Sequence, residues 1–199
     1  IKGQVRGFLN ASKNPFSLAH SEKWSLATYP FINLMERIYL GKSKYFITVS
    51  SKSSEIMKHD HHFKGIIESI HNGVDLELYN YEKVGDPYEK FPQLKGKGPI
   101  VLYAGRLIAQ KGLKLFAQAI SRLKDTDAHP VFAGSGSPKL LFRTLQQYGI
   151  PKERYIYLGF VSPGKALASV YKLSSIFVLP SFSENFPFSL LEAMSMKVP

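Results

Sequence analysis

Residues 100–112 have the sequence IVLYAGRLIAQKG, and this stretch decides the fold class. Its first five residues form a short apolar run that ends at a glycine, which predicts a buried strand over 100–104. A loop with two basic residues and a second glycine follows, and an amphipathic pattern then predicts a helix through Leu123. A strand, a polar loop and a helix in this order predict a βα unit, the building block of a parallel sheet.

The same alternation continues to the end of the chain. Three further strands are predicted at 130–133, 155–158 and 176–179, and three further helices at 138–148, 163–173 and 187–196. Strands that alternate with helices favour right-handed crossovers and a parallel sheet covered by helices. We therefore predict an α/β protein with Rossmann-like parallel sheets and flanking helices.

The first part of the chain has a looser version of this pattern. Strands are predicted at 15–19, 45–49 and 66–70, helices at 24–40 and 53–58, and a tight turn at Asn72-Gly73. Residues 76–99 are rich in Tyr, Glu, Lys, Gly and Pro, a composition typical of a linker. We therefore expect one domain over 1–75, a linker over 76–99 and a second domain over 100–199.

Composition limits the function. Lysine and arginine number 26 against 15 acidic residues, so the net charge is +11 and an anionic partner is expected. That partner is a phosphorylated small molecule, a membrane face or nucleic acid. The chain has no cysteine, which excludes disulfides, thiolate metal ligands and a cysteine nucleophile. Its apolar runs are too short to cross a bilayer, and its start, without Met or a secretory leader, is typical of an internal segment.

Polar residues follow the predicted strands, where ligands bind in open parallel sheets. Arg106 and Lys111 would together neutralise a diphosphate, and the alternative is a pair of solvated loop cations. Gly134-Ser135-Gly136 follows the next strand, so Gly134 either lets a ligand approach the backbone or belongs to an ordinary strand-to-helix turn. The loop that carries Arg106 and Lys111 is not a Walker sequence.

The segment 181–192 contains two carboxylates and a proline. Ser181 and Glu184 match a capping box, but a helix starting there would place Pro187 in its interior, at a cost of about 3 kcal/mol. Pro187 fits the first helical position better. The amides of Phe188 and the next residues would then face an anion, with Glu184 before the helix and Glu192 within it. Carboxylates near an anion site suit the hydroxyls of a sugar.

Three histidine and lysine features have competing interpretations. His20 follows the first predicted strand and is either a base or donor beside a reacting group or a structural histidine. The run His59-Asp60-His61-His62 resembles a metal site, but adjacent positions do not converge on one ion, so no metal is expected. The lysines between 42 and 64 either form a solvated face or rest against anionic lipid.

Six short motifs occur in a fixed order along the chain. They are Val-Ser (49–50), Asn-Gly-Val-Asp (72–75), Gly-Arg…Lys-Gly (105–112), Gly-Ser-Gly (134–136), Leu-Gly-Phe-Val (158–161) and Pro-Ser…Glu-x7-Glu-Ala-Met (180–194). Together they resemble glycosyltransferase family 4. The resemblance implies the GT-B fold and a retaining, nucleotide-sugar-dependent enzyme, and its most specific part is the last motif.

The resemblance also implies roles for individual residues. Arg106 and Lys111 match the pair that binds the donor diphosphate, and Glu184 and Glu192 match the glutamates that face the donor sugar and hold the ribose hydroxyls. His20 resembles the histidine beside the transferred sugar. The remaining donor-binding residues that we assign are Phe160, Val161, Phe186, Phe188 and Gly134, of which the first two would contact the base.

Further expectations follow from the same family. Two cations and a helix N-terminus stabilise a departing diphosphate without a metal, so we expect neither metal nor cofactor. The expected partners are a nucleotide-sugar donor and a sugar or lipid-linked acceptor, in the cytoplasm or at the inner membrane face. Lys197 stands where the family usually has glycine. The resemblance implies a fragment truncated at both ends: the tail of the acceptor-side domain, the linker and most of the donor-binding domain.

Two other functions remain open on the sequence alone. A nucleotide-sugar epimerase has the same fold, although the Glu-x7-Glu segment favours a transferase. A basic nucleic-acid-binding module would need exposed aromatic residues among its cations, whereas the apolar periodicity assigns most aromatic residues to the core. We therefore expect no nucleic-acid partner.

Overall fold

A computed structural model describes residues 20–199, with side chains from residue 27 onward. They form two compact units, one of residues 20–73 with 183–187 and one of residues 74–182 with 188–199. The strand predicted at 15–19 lies outside the described residues. The prediction assigns all of 100–199 to one domain, whereas Ser183–Pro187 cluster with the first unit.

The first unit is a small β-α-β arrangement preceded by a long helix. Its elements are α1 (His20–Lys42), β1 (Tyr45–Thr48), α2 (Ser51–His59) and β2 (Ile66–Ser69). The two strands are parallel, with Tyr45 opposite Ile66. The backbone of His20 starts α1 and does not end a strand, because the following residues contain no helix breaker before Pro30.

A few apolar side chains hold the first unit together. Leu40, Met57 and Phe63 are buried, and Phe46 and Ile67 from the two strands pack against them. The hydroxyl of Ser50 accepts a hydrogen bond from the amide of Ser53 at 3.2 Å and so caps α2. This cap fixes the start of α2 directly after the carboxyl end of β1.

The second unit has a four-stranded parallel sheet with helices between its strands. Its elements are β3 (Ile100–Ala104), α3 (Leu113–Ile120), β4 (His129–Ala133), α4 (Pro138–Gln147), β5 (Ile156–Gly159), α5 (Lys165–Leu173), β6 (Ile176–Phe177) and α6 (Phe188–Ser195). The strand order is β5-β4-β3-β6. The prediction of alternating strands and helices around a parallel sheet is confirmed, and β3 has the predicted bounds.

The sheet of the second unit is buried on both faces. Tyr103 points to the face covered by α3 and α4, where it packs with Phe116. Leu102 points to the opposite face, together with Tyr171 of α5 and Ala193 of α6. This alternation follows from the two-residue period of a strand. Each large side chain buried in this way contributes about 1.5–3 kcal/mol.

The segment predicted as a linker, residues 76–99, is part of the second unit and contributes to its core. Tyr79, Phe91 and Leu94 have exposed fractions of 5%, 9% and 1%, and they belong to the core cluster beneath α5 and α6. Two 3₁₀ helices, Pro87–Glu89 and Pro92–Leu94, lie in this segment. The prediction of a linker used the average composition of the segment, in which these three buried apolar residues are outnumbered by glycine, proline and charged residues.

The end of α6 has a left-handed residue that is not glycine. Lys197 has a φ of 57°, and its amide donates to the carbonyl of Met194. The amide of Val198 donates to the carbonyl of Ala193 at 2.9 Å. These two bonds form a Schellman motif, in which glycine is normally favoured at the left-handed position. The helix turn therefore forms with lysine at the position where the resemblance implies glycine.

Within the part of the chain that the structure describes, no helix combines the length and apolar character needed to cross a bilayer.

Candidate functional site

The loop that carries Arg106 extends the hydrogen bonding of the sheet beyond β3. The amide of Gly105 donates to the carbonyl of Ala133 at 2.9 Å. The amide of Leu107 then donates to the carbonyl of Ser135 at 2.7 Å. The loops after β3 and β4 are thus joined at the carboxyl edge of the sheet, where ligands bind in folds of this type.

A side chain of β3 fixes the backbone at Arg106. The hydroxyl of the buried Tyr103 donates to the carbonyl of Arg106 at 2.9 Å, while the Arg106 side chain is exposed. A fixed backbone under an exposed guanidinium reduces the entropy that the loop loses when it binds an anion. The structure therefore places Arg106 at the predicted edge of the sheet with its charge directed to solvent.

The loop of Lys111 packs on the segment that begins the last motif. A β-carbon built on Gly112 would overlap the carbonyl oxygen of Pro180, and Gly112 has a φ of 71°. The amide of Phe182 donates to the carbonyl of Gln110 at 3.0 Å. Lys111 itself is half-buried. Two motifs that lie far apart in the sequence are therefore in direct contact within the second unit.

The Gly134-Ser135-Gly136 turn is also a place of close backbone approach. A β-carbon on Gly134 would overlap the carbonyl oxygen of Gly105, and one on Gly136 would lie 2.9 Å from the amide nitrogen of Leu107. The chain's own Arg106 loop therefore requires these glycines, with or without a ligand. Contact between Gly134 and a donor stays a prediction.

The loop after β5 presents an aromatic ring at the same edge. The carbonyl of Gly159 accepts from the amide of Gly134 at 2.7 Å, which joins this loop to the one after β4. Phe160 is 67% exposed, whereas Val161 is half-buried and packs against the core. An exposed aromatic face beside a half-buried anchor suits stacking on a planar ligand.

Glu192 is held by a buried tyrosine. It lies on α6, is half-buried, and its Oε2 accepts a hydrogen bond from the hydroxyl of Tyr171 at 3.0 Å. Tyr171 is 0% exposed, and burial, followed by the nearby Glu192 charge, raises its pKa well above the ordinary value for tyrosine. Tyr171 is therefore a neutral hydrogen-bond donor to the carboxylate.

A second tyrosine lies beside this pair. The Tyr79 ring packs edge-on against the Tyr171 ring, with centroids 6.3 Å apart, and its hydroxyl accepts from the amide of Gly164 at 3.0 Å. Burial raises the pKa of Tyr79 to about 12, and the Glu192 charge contributes in the same direction. Neither tyrosine was among the predicted site residues. For Tyr171 the available signal was a tyrosine inside an apolar helical pattern, since a buried phenol needs a polar partner, whereas Tyr79 lies outside any helix and had no such signal.

Glu184 lies in the first unit. It is exposed, and together with Ser183 and Asn185 it lines a cavity of about 400 Å³ whose other walls include Ser50 and Glu36. Ser50 follows the carboxyl end of β1. This cavity therefore combines carboxylate and hydroxyl groups, the side chains that hydrogen-bond to sugars.

The Asn72-Gly73 pair does not form the predicted tight turn. Neither residue has the positive φ that such a turn needs. Instead the side-chain amide of Asn72 donates to the carbonyl of Phe186 at 2.7 Å, and the His71 ring stacks on the Phe186 ring at a centroid distance of 4.9 Å. The hydrogen bond from Asn72 to Phe186, which lies 114 positions later in the sequence, replaces the local turn. The prediction of a tight turn at Asn72-Gly73 was therefore wrong. Phe186, predicted to bind donor, is half-buried under His71.

The positions of the remaining predicted site residues follow directly from the elements and units that contain them. Phe188 is the first residue of α6 and is 55% exposed, while the side chain of His20 lies outside the described residues. Arg106, Lys111 and Glu192 belong to the second unit. Among the side chains described, no three from histidine, aspartate and glutamate are grouped as metal ligands.

The chain has clear sequence relatives. Residues 86–199 match the family model described as glycosyl transferases group 1. The chain is 30% identical over 161 residues to a putative teichuronic acid biosynthesis glycosyltransferase, TuaC, of Bacillus subtilis (strain 168), covering 80% of this chain and 38% of that protein. It is 33% identical over 139 residues to a UDP-Gal:alpha-D-GlcNAc-diphosphoundecaprenol alpha-1,3-galactosyltransferase of Escherichia coli, covering 67% of this chain and 35% of that enzyme.

The fold also has close counterparts among solved structures. The sucrose-phosphate synthase from Thermosynechococcus elongatus superposes with a TM-score of 0.74 at 23% identity, covering 84% of this chain and 42% of that one. This likeness confirms the predicted α/β fold class of GT-B type. The chain spans a little over a third of the length of the two curated relatives. Since the family model covers more than half of the chain, this protein belongs to the group 1 glycosyl transferases.

Proposed function

We propose that this chain is the donor-binding region, with part of the acceptor side, of a retaining family 4 glycosyltransferase. The observation that carries the proposal is the contact between the two diagnostic loops. The Arg106–Lys111 loop packs on Pro180 and Phe182, at the carboxyl edge of a parallel sheet. The loop that carries the two cations and the start of the glutamate motif are therefore neighbours, which supports a site for a nucleoside diphosphate sugar.

Transfer of a sugar from such a donor leaves a diphosphate with growing negative charge. Arg106 and Lys111 neutralise this charge, and the amides at the start of α6, from Phe188 onward, add partial positive charge. Removing one such cation is expected to raise the barrier by about 3 kcal/mol. This chemistry needs no metal ion, so the proposed mechanism is metal-independent.

The nucleoside end of the donor is assigned to the same unit. Phe160 stacks on the base, and Val161 supports the loop beneath it. Glu192 accepts hydrogen bonds from the ribose hydroxyls, for which its carboxylate is already oriented by Tyr171. Gly134 and Phe188 complete the proposed donor-binding set of this unit, and the donor-binding role of Phe186, a residue of the first unit, follows from the family resemblance alone. Glu184 faces the donor sugar and His20 lies beside the transferred group, roles that follow from the family resemblance.

The proposed acceptor is a sugar or a lipid-linked sugar. The names of the relatives, a teichuronic acid glycosyltransferase and a diphosphoundecaprenol galactosyltransferase, support a role in polysaccharide or glycolipid synthesis. The lysines of the first unit, among them Lys42, Lys44 and Lys64, would attract an anionic lipid surface. A cytoplasmic protein that binds the membrane peripherally fits both features.

A nucleotide-sugar epimerase is the weaker candidate. Both curated relatives are named as glycosyltransferases, and so is the family whose model matches the chain. Incubation with a labelled donor and analysis of the products separates the two reactions. A transferase moves label to an acceptor, whereas an epimerase returns it in a nucleotide sugar.

The donor assignment is tested by thermal denaturation of the chain with UDP, GDP, ADP and the corresponding nucleotide sugars. A true donor raises the melting temperature because it binds the folded state. Arg106→Ala and Glu192→Ala are expected to abolish that shift. Arg143→Ala, which removes an exposed guanidinium from α4, is the matched control and should keep it. Unchanged shifts in both site variants would contradict the assignment.

A further inference from the structure

We propose that Tyr171 is a positioning residue that holds the Glu192 carboxylate at a fixed place for the ribose hydroxyls of a nucleotide, and that Tyr79 in turn positions Tyr171. This inference rests on the proposed donor site and adds two residues that none of the six motifs contains. Both tyrosines lie in the interior of the second unit, with exposed fractions of 0% and 5%. They act on the ligand through Glu192 rather than by touching it.

The hydroxyl of Tyr171 has one proton and two acceptors within reach. Glu192 Oε2 lies at 3.0 Å and the carbonyl of Ser189 at 3.1 Å. Hydrogen bonds to a charged acceptor are about twice as strong as neutral ones, so the carboxylate is preferred. Oε2 is thereby engaged, and the second oxygen, Oε1, is the one that we assign to the ribose. A fixed carboxylate loses less entropy on binding.

Tyr171 cannot follow Glu192 if that side chain moves. Its ring is packed edge-on against Phe177 of β6, with centroids 5.7 Å apart, and edge-on against Tyr79. Interiors are close-packed, so a ring contacted from two directions keeps one rotamer. The hydroxyl is therefore a fixed point, and the position of the carboxylate follows from the core of the second unit.

Tyr79 connects this fixed point to the loop that presents Phe160. Its hydroxyl accepts from the amide of Gly164, the residue that precedes α5 and ends that loop. The Tyr79 ring also packs edge-on against the ring of Tyr171, whose hydroxyl donates to Glu192. The buried Tyr79 side chain thus links the proposed ribose contact at Glu192 to the proposed base contact at Phe160.

The test compares two probes in the full 199-residue chain by titration calorimetry. UDP has both ribose hydroxyls, and 2′,3′-dideoxyuridine diphosphate has neither. Tyr171→Phe is expected to weaken UDP binding by about tenfold, the loss typical of a hydrogen bond to a charged group, and to leave the dideoxy probe unchanged. Tyr155→Phe removes a phenol hydroxyl elsewhere in the same unit and should change neither affinity.

The ratio of the two affinities is the decisive readout, because a purely structural defect weakens both probes equally. Tyr79→Phe, expected to reduce the ratio about threefold, provides a second variant should Tyr171→Phe not fold. In a Glu192→Gln background, neither change should reduce the ratio further.

Other results of the titrations would contradict either the positioning role or the donor site. Equal losses for both probes, or an unchanged ratio in both tyrosine variants while Glu192→Gln loses it, would overturn the positioning role and leave the donor site intact. If the unmodified chain binds none of UDP, ADP and GDP, the proposed donor site is wrong and this inference falls with it.

Discussion

Gly112 lies so close to Pro180 that a β-carbon at Gly112 would overlap the carbonyl oxygen of Pro180. This contact joins the loop after β3 to the segment after β6 in the second unit. Gly112 also has a φ of 71°, a conformation that other residues rarely adopt. Position 112 therefore requires glycine both for its left-handed backbone and for its contact with Pro180. The loss of stability from each can be measured separately.

Gly112→Ala should destabilise the protein much more than Gly149→Ala. Gly149 has a similar φ of 67°, but no atom lies within 4 Å of the point that its β-carbon would occupy. Its substitution therefore costs only the left-handed conformation, about 1 kcal/mol. Gly112→Ala adds the displacement of Pro180, for an expected total of about 3 kcal/mol or more. Urea unfolding measures both losses, and equal values would mean that the contact with Pro180 is not maintained.

Lys197→Gly is expected to stabilise the protein by about 1 kcal/mol. Lys197 and Gly149 occupy equivalent left-handed positions at the ends of α6 and α4, where glycine avoids the clash of the side chain with its own backbone. The ion pair between Lys197 and Glu82 would be lost, but both side chains are exposed and the pair contributes little. Thermal unfolding of Lys197→Gly beside Lys197→Ala measures the gain, and a lower melting temperature for the glycine variant would contradict it.

The second unit should lose stability at high pH through Tyr79. Its folded pKa of about 12 exceeds the ordinary value of 10.0, so the native state holds the proton more tightly than the unfolded chain does. The stabilisation is complete below pH 10 and declines as the pH rises from 10 towards 12. Tyr171, whose pKa is also raised, acts in the same direction.

Urea unfolding between pH 8 and about 11.5 tests this dependence on pH. Tyr79→Phe should make the decline shallower, although its stability at neutral pH is lower because Gly164 loses a hydrogen-bond acceptor. Tyr45→Phe, which removes an exposed phenol of the first unit, is the control. The same slope in Tyr79→Phe and in the unmodified chain would exclude Tyr79 as a source of the decline.

Local patterns in the sequence were sufficient for most of the fold. The strand Ile100–Ala104 and the helix that follows Pro187 were predicted because an apolar run bounded by glycine, or a proline before an amphipathic stretch, has a local meaning. Arg106 and Lys111 were likewise predicted as site residues from their place after a buried strand. Topology then brings such positions to one edge of a sheet.

What the sequence could not provide depends on distant partners. Asn72 turned out to hold Phe186 instead of forming a turn, and Gly134 is required by Gly105. Tyr79 lies in a segment whose composition indicated a linker, yet it packs on Tyr171 in the core. Each of these relationships joins residues that no local pattern connects, so only the folded chain reveals them.

The most direct test of the account is calorimetric titration of UDP and of uridine into the chain and its Arg106→Ala variant. Arg106 is assigned to the diphosphate, so Arg106→Ala should weaken UDP binding by about a hundredfold and leave uridine binding unchanged, because uridine has no phosphate. Arg143→Ala should affect neither ligand. If Arg106→Ala binds UDP as tightly as the unmodified chain does, the diphosphate is not bound at this edge of the sheet and the account is wrong.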